Sequence, residues 1–293
     1  MPVEFRYHVI SLVAVFCALV IGLLIGFSMV SSPQLEEQVK SLSEKVNQRI
    51  EDLNSKVKTG DEFIGAVAPS LLRERLANRR IAIIVARPND DAKKAAQSFA
   101  ATIEKAGGQV TSIVHVERRF YRLDDPKMSY LRDRLAHALS LDTSDPEAIP
   151  GLAAAQLADD LLNGREPAPR ELDDQRLIKL GDYMGGADSL VLIGGLTGTN
   201  ERPLEMFDLP VIKACQRLNA RVVACELKEA GGSAIARYRQ AKAATTVDNV
   251  DTPYGRVAVV LALQGGRDGH FGVKEGTADR LLPPIEVTGS AAP

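Results

Sequence analysis

Tryptophan is absent from the 293 residues, and aromatic residues make up only 5%. That is poor material for an aromatic-lined ligand groove. Charge of either sign is barely in excess: 36 basic against 38 acidic residues leave a net charge of −2. Near-neutrality lacks the basic footprint of a nucleic-acid binder. Cysteine is scarce, at Cys17, Cys215 and Cys225. Cys215 and Cys225 flank a predicted helix-to-strand turn, which leaves two readings open. They form a disulfide in an oxidising compartment, or they are two small buried hydrophobes. No G-x-S-x-G elbow, H-E-x-x-H or C-x-x-C occurs. His8, His115, His137 and His270 lie far apart, and no pair of carboxylates is singled out by spacing. The sequence therefore carries no argument for an enzyme.

What is present begins with "HVISLVAVFCALVIGLLIGFSMV", which runs from His8 to Val30 without a charge. A helix over Val9–Val30 spans roughly 33 Å at about 1.5 Å per residue. That matches a hydrocarbon core of about 30 Å. A buried soluble helix would carry a polar face, and a cleaved signal would have a more basic start and a better cleavage site than Ser28 and Val30 before Ser31. Residues 9–30 are thus expected to be an uncleaved transmembrane helix preceded by a short flank, 1–8. Basic residues on the two sides do not themselves set the orientation. An anchor so near the start usually leads a domain outward, so the expectation is a single-pass protein of a bacterial cell membrane, N-terminus inside. Gly22 and Gly26 form G-x-x-x-G, either a helix-pairing motif or the ordinary glycine content of a membrane helix.

Beyond Pro33, Leu35, Val39, Leu42, Val46, Ile50, Leu53 and Val57 recur in steps of three and four. This is a coiled-coil seam with one stutter, and it predicts a stalk over 34–59. Such a helix needs something to bury its seam. A second copy is expected, giving a dimer through anchor and stalk; the alternative is that the helix folds back on its own globular domain. Gly60 is expected to end the repeat, and residues 60–79 read as a helical connector broken near Pro69.

Residues 80–265 alternate strand and helix. "IAIIVA" (81–86) is an apolar run suited to a strand buried on both faces. "NDDAKKAAQSFAATIEKAGG" is a helix capped at Asn89 or Asp90 and stopped at Gly107, and "QVTSIVHV" is the next strand. Residues 125–184 read as helical and poor in strands, with starts at Asp125-Pro126 and Asp145-Pro146 and a buried stripe at Leu131, Leu135 and Leu139. Strands at 189–196 and 221–226 follow, then a short edge strand and a helix from Pro253 to Leu263. The fold class expected is α/β: an open, doubly wound, mainly parallel sheet flanked by helices, in a Rossmann-like domain. The Gly/Pro-rich tail, 266–293, reads as irregular.

Ligand sites in such sheets lie beyond the carboxyl ends of the strands. There the sequence offers "ARPNDD" and "GGLTGTN". In the second, Gly194, Gly195, Thr197 and Gly198 form either an anion-binding loop or a flexible strand-to-helix turn. It is neither a dinucleotide fingerprint nor a Walker loop. His115 reads as a satisfied strand histidine, and His270 as a residue free to cap or bind.

Three stretches taken together resemble the MctB family, the mycobacterial copper transport protein B-like envelope proteins. They are "FRYHVISLVAVFCALVIGLLIG", "FIGAVAPSLLRERLANRRIAIIVA" and the ending "NVDTPYGRVAVVLALQGGRDGHFG…LLPP". The resemblance implies copper efflux or homeostasis, with copper as the only cofactor suggested. It equally admits a non-enzymatic anchored scaffold of envelope assembly and septation, with an envelope protein as partner. Cu(I) favours clustered Cys and Met, whereas Met1, Met29, Met128, Met184 and Met206 form no cluster. Cys17 is the one candidate metal ligand in the anchor.

Overall fold

The computed structural model describes residues 3–30, 33–87, 89–196, 200–228, 233–240, 245–265, 268–274 and 279–285. The chain divides into two compact units, 1–60 and 61–293.

The first unit is helical. Helix α1 is Val3–Val30, and α2 is Pro33–Leu72. Within α1, Tyr7–Gly26 is long and apolar enough to cross a membrane. The Gly60 break is not observed: α2 continues through Gly60 and contains Pro69. A single glycine costs a helix only about 1 kcal/mol. Pro69 falls in the last turn and removes one donor, its own N–H toward the carbonyl four residues back, without ending the helix before Leu72. The seam residues Val39 to Val57 are 49–63% exposed; the Leu35 side chain lies outside the described residues.

The second unit is an α/β sandwich. Its strands are β1 (Arg80–Val85), β2 (Gln109–Val116), β3 (Ile178–Leu180), β4 (Ser189–Ile193), β5 (Arg221–Cys225), β6 (Thr245–Val247) and β7 (His270–Phe271). They form one sheet in the order β3-β2-β1-β4-β5-β6-β7. All pairings are parallel except β2–β3. Helices α3 (Asp90–Lys105), α4 (Ser129–Ala138), α5 (Ile149–Asn163), α6 (Pro167–Asp174), α7 (Leu209–Arg217), α8 (Ile235–Gln240) and α9 (Pro253–Gln264) flank it. Residues from α4, α5, α6 and α7 cover one face. Those from α3 and α9, with Leu72 and Leu76, cover the other. With both faces covered, β1 and β4 can be continuous apolar runs. Asn89 caps α3 by accepting from the Ala92 N–H at 2.7 Å, and Gly107 ends that region at φ 84°.

The stretch 125–184 is helical and poor in strands as expected; its strand, β3, pairs antiparallel along 114–116 over only three residues, a run too short to leave a periodicity to read. Two local expectations are corrected. The tail is not wholly irregular, because β7 pairs with β6. Asp145-Pro146 does not start a helix: the Asp145 carboxylate accepts from the Glu147 N–H at 2.9 Å in a local turn, and α5 begins at Ile149. Asp125 does cap a short 3-10 turn, Pro126–Met128, that leads into α4.

Candidate functional site

The strand order reverses between β1 and β4, so the crevice of a doubly wound sheet opens beyond Val85 and Ile193. Pairing runs one residue further, with the Ala86 N–H donating to the Ile193 carbonyl at 2.9 Å. Arg87 follows and turns into the crevice. Its Nε donates to the Gly195 carbonyl and its Nη2 to Asp208 Oδ2. Tyr238 donates its hydroxyl to the same carboxylate oxygen at 2.6 Å, and Tyr121 donates to the Ala86 carbonyl. Asp208 ends a π-helical turn, Leu204–Asp208, a geometry often found at functional positions. Phe207 and Phe120 wall the cluster edge to face, ring centres 5.0 Å apart.

The glycines of the loop make room for these side chains. A Cβ at Gly194 would sit 2.2 Å from the Tyr238 hydroxyl and 2.6 Å from Asp208 Oδ2. The chain's own Arg, Asp and Tyr thus fill the space a ligand takes in many folds of this class. Thr197 and Gly198 lie outside the described residues. Burial disfavours the Arg87 charge, but Asp208 and the two tyrosines outweigh it and hold the guanidinium above its ordinary pKa. Burial lifts the Asp208 carboxyl, with Arg87 and Tyr238 pulling it back. Burial raises both tyrosine hydroxyls as well. Arg87 Nη1 and Asp208 Oδ1 remain buried without a partner among the described residues. Sequence reading singled out neither Asp208 nor Tyr238. They lie 121 residues from Arg87 and 30 from Asp208 respectively, and only the topology brings them together.

A second polar cluster closes the carboxyl ends of β5 and β6. Glu226 accepts from the Ala234 N–H at 2.8 Å and from the Ser233 hydroxyl at 3.0 Å, and pairs with Lys274. Asp248 accepts the N–H groups of Val273 and Lys274 at 3.0 and 2.8 Å, which pins the segment after β7. In "NVDTPYG", Thr252 caps α9 by accepting from the Gly255 N–H at 3.0 Å. A Cβ at Gly255 would fall 1.8 Å from the Asn249 carbonyl oxygen. This stretch therefore needs glycine for packing.

The other sequence candidates are dispersed. Cys17 is exposed on α1. Gly22 and Gly26 have nothing within 4 Å of a built Cβ. Cys215 and Cys225 are free and buried, and they belong to the cores on opposite faces of the sheet, a placement unsuited to bridging. Burial pushes the Cys215 thiol up to about 12, and burial with Glu226 raises Cys225 too. Neither is a ready thiolate ligand. His270 meets Thr246 Oγ1 at 2.9 Å through Nδ1. His115 is not a satisfied histidine: its Nδ1 is buried without a partner among the described residues. Among the described residues no group of three or more His, Cys, Asp or Glu is placed to hold a metal ion.

A family model described as "Copper transport outer membrane protein, MctB" matches residues 3–283. Proteins named "Copper transporter MctB" from Mycobacterium bovis and Mycobacterium tuberculosis are 26% identical to this chain over 309 residues. The alignment covers 94% of this chain and 97% of each relative. With the match running from the apolar helix through the whole sheet, the chain belongs to the MctB family.

Proposed function

We propose that the chain is a single-pass, membrane-anchored envelope protein that serves copper efflux or homeostasis, with its α/β domain outside the cell membrane and no catalytic role. The observation that carries this reading is the continuous family match over residues 3–283, to proteins whose relatives are named copper transporters. The buried thiols and the absence of a three-ligand cluster among the described residues argue against the sheet as the copper ligand. Cys17 is the exposed soft donor of the apolar helix. Pairing at Gly22 and Gly26 would not itself join two such thiols, because Cys17 lies on the opposite side of the helix from both glycines. The test is cellular copper in the native bacterium with the gene deleted, then restored as wild type or as Cys17→Ser. The reading expects copper to rise on deletion and fall on restoration. Unchanged copper in every strain rules it out, and a Cys17→Ser strain equal to wild type removes Cys17 from the role.

A second reading has its own support, the row of exposed apolar residues along α2 from Val39 to Val57. It makes the protein a dimeric scaffold for envelope assembly, joined through that seam and engaging an envelope protein. Crosslinking an Ile50→Cys variant in intact cells tests it. A disulfide-linked dimer supports the seam, and monomer alone rejects it.

A further inference from the structure

A groove of about 530 Å³ runs along the outer flank of the sheet, between α3 and the β2–β3 edge. It lies away from the β1/β4 crevice. Lys93 and Gln97 of α3 line one wall; His115 of β2 and Lys179 of β3 line the other. His115 and Lys179 are paired in register across the antiparallel edge, so their side chains share a face. Lys93 and Lys179 are exposed and make no ion pair among the described residues. Both act on His115, and each outweighs the nearby Glu117. Glu104, Glu117 and Asp182 also line the groove, and of the three only Glu117 figures among the charges acting on His115.

The His115 ring is oriented for donation into this space. Its Nδ1 is sealed from solvent with no partner among the described residues. A buried N–H without an acceptor is the costlier arrangement, so the sealed nitrogen keeps its lone pair and Nε2 carries the proton. Nε2 is not among the buried unpartnered atoms, and it is the ring nitrogen a bound molecule can reach. Around His115 two ammonium groups therefore stand against one carboxylate, that of Glu117. A metal cation would be repelled by both lysines.

We propose that this groove binds a small anion, carboxylate or phosphate, held between Lys93 and Lys179 and accepting a hydrogen bond from His115 Nε2. The site is independent of the copper reading. It would let the envelope domain respond to a small metabolite or a phosphorylated headgroup by the same charge-assisted contacts.

The test uses full-length protein in detergent micelles, labelled with 13C at histidine Cε1, with the His115 resonance assigned by His115→Gln. Inorganic phosphate and succinate are titrated separately at constant ionic strength. Either anion should move the His115 signal saturably while His8, His137 and His270 stay put. The titration midpoint of His115 should rise, because an anion at Nε2 favours the imidazolium. Lys179→Met and Lys93→Met, both at exposed positions, should each weaken binding at least tenfold. A response to phosphate alone or to succinate alone assigns the anion class. No movement with either anion, equal movement of all four histidines, or wild-type affinity in Lys179→Met overturns the proposal.

Discussion

Ile83 in β1 and Ile50 in α2 are the same residue in two different situations: one is 0% exposed, the other 50%. The contrast holds across both units. Val, Ile and Leu of the sheet are sealed by helices on both faces, while those of α1 and the seam of α2 face outward. Apolar surface left in water costs roughly 25 cal/mol per Å², so we propose that the helical unit meets a partner outside the single chain. For α1 that partner would be the bilayer, which Tyr7–Gly26 is long and apolar enough to cross with its backbone groups satisfied within the helix. For α2 the spacing of three and four residues fits a second helix. The sheet is built from long-range contacts within the chain.

The largest difference should come from ion pairs. Arg87–Asp208 is buried, whereas Asp52–Lys56 in α2 is a 2.7 Å pair with both side chains mostly exposed. Asp208→Ala leaves a guanidinium buried and uncompensated, and should cost about 3–5 kcal/mol in denaturant unfolding. Asp52→Ala should cost no more than about 0.5 kcal/mol. Replacing both partners, Arg87→Met with Asp208→Leu, should recover most of the loss. A double variant no better than Asp208→Ala would mean that the cluster supplies more than charge balance.

Next is the core. Ile83→Ala should destabilise the sheet by about 2–5 kcal/mol, because a close-packed site collapses only partly. Ile50→Ala should leave sheet unfolding unchanged and instead raise the concentration at which the protein dissociates, read by analytical ultracentrifugation in detergent. Equal effects on sheet unfolding would erase the distinction between the units.

Glycines separate the units more finely. Gly194→Ala forces a Cβ against Tyr238 and Asp208, and should cost about 1–3 kcal/mol as an overpacked site does. Tyr238→Phe should relieve part of that, since the hydroxyl is the nearest obstacle. Gly22→Ala meets open space and should leave sheet unfolding untouched. A loss of dimer in Gly22→Leu would place the helix contact at that glycine.

How much of this was legible in the sequence follows from the range of the interactions. The apolar helix and the runs "IAIIVA" and "SLVLI" are local patterns, and hydrophobic periodicity reveals them directly. The Asn89 cap was readable because its partner lies three residues on. β3 and β7 were not, because a strand of two or three residues is defined by its neighbour rather than by its own pattern. The sequence points to "ARPNDD" and "GGLTGTN" at the strand ends, and Arg87 and Gly195 of these do meet there, yet the other side chains that fill the space were not legible. The glycines left open an anion-binding loop or a flexible turn, while Asp208 and Tyr238, which fill the space, arrive from distant segments. His115 was misread for the same reason: alternation gave its face but not whether a partner stood opposite Nδ1.

The smallest expected effect is a pH response confined to the sheet unit. Burial, followed by Lys93 and Lys179, lowers the pKa of His115; burial and Arg239 lower that of His270, against Asp279. Both rings are therefore harder to protonate in the folded protein than in the unfolded chain, whose ordinary value is about 6.5. Between the folded and unfolded values the unfolded state binds more protons, so stability rises with pH there and falls on acidification. Above the unfolded value neither ring is charged in either state and the contribution is flat. Melting temperatures from pH 7.5 to 5.5 should fall for wild type, less steeply for His115→Gln, and least for His115→Gln with His270→Gln. The comparison is between slopes, because carboxylates elsewhere shift all three curves together. A slope unchanged by the double substitution would mean that neither ring is disfavoured as a cation in the fold. It would also weaken the placement of two lysines around His115, since their repulsion contributes to the lowered value.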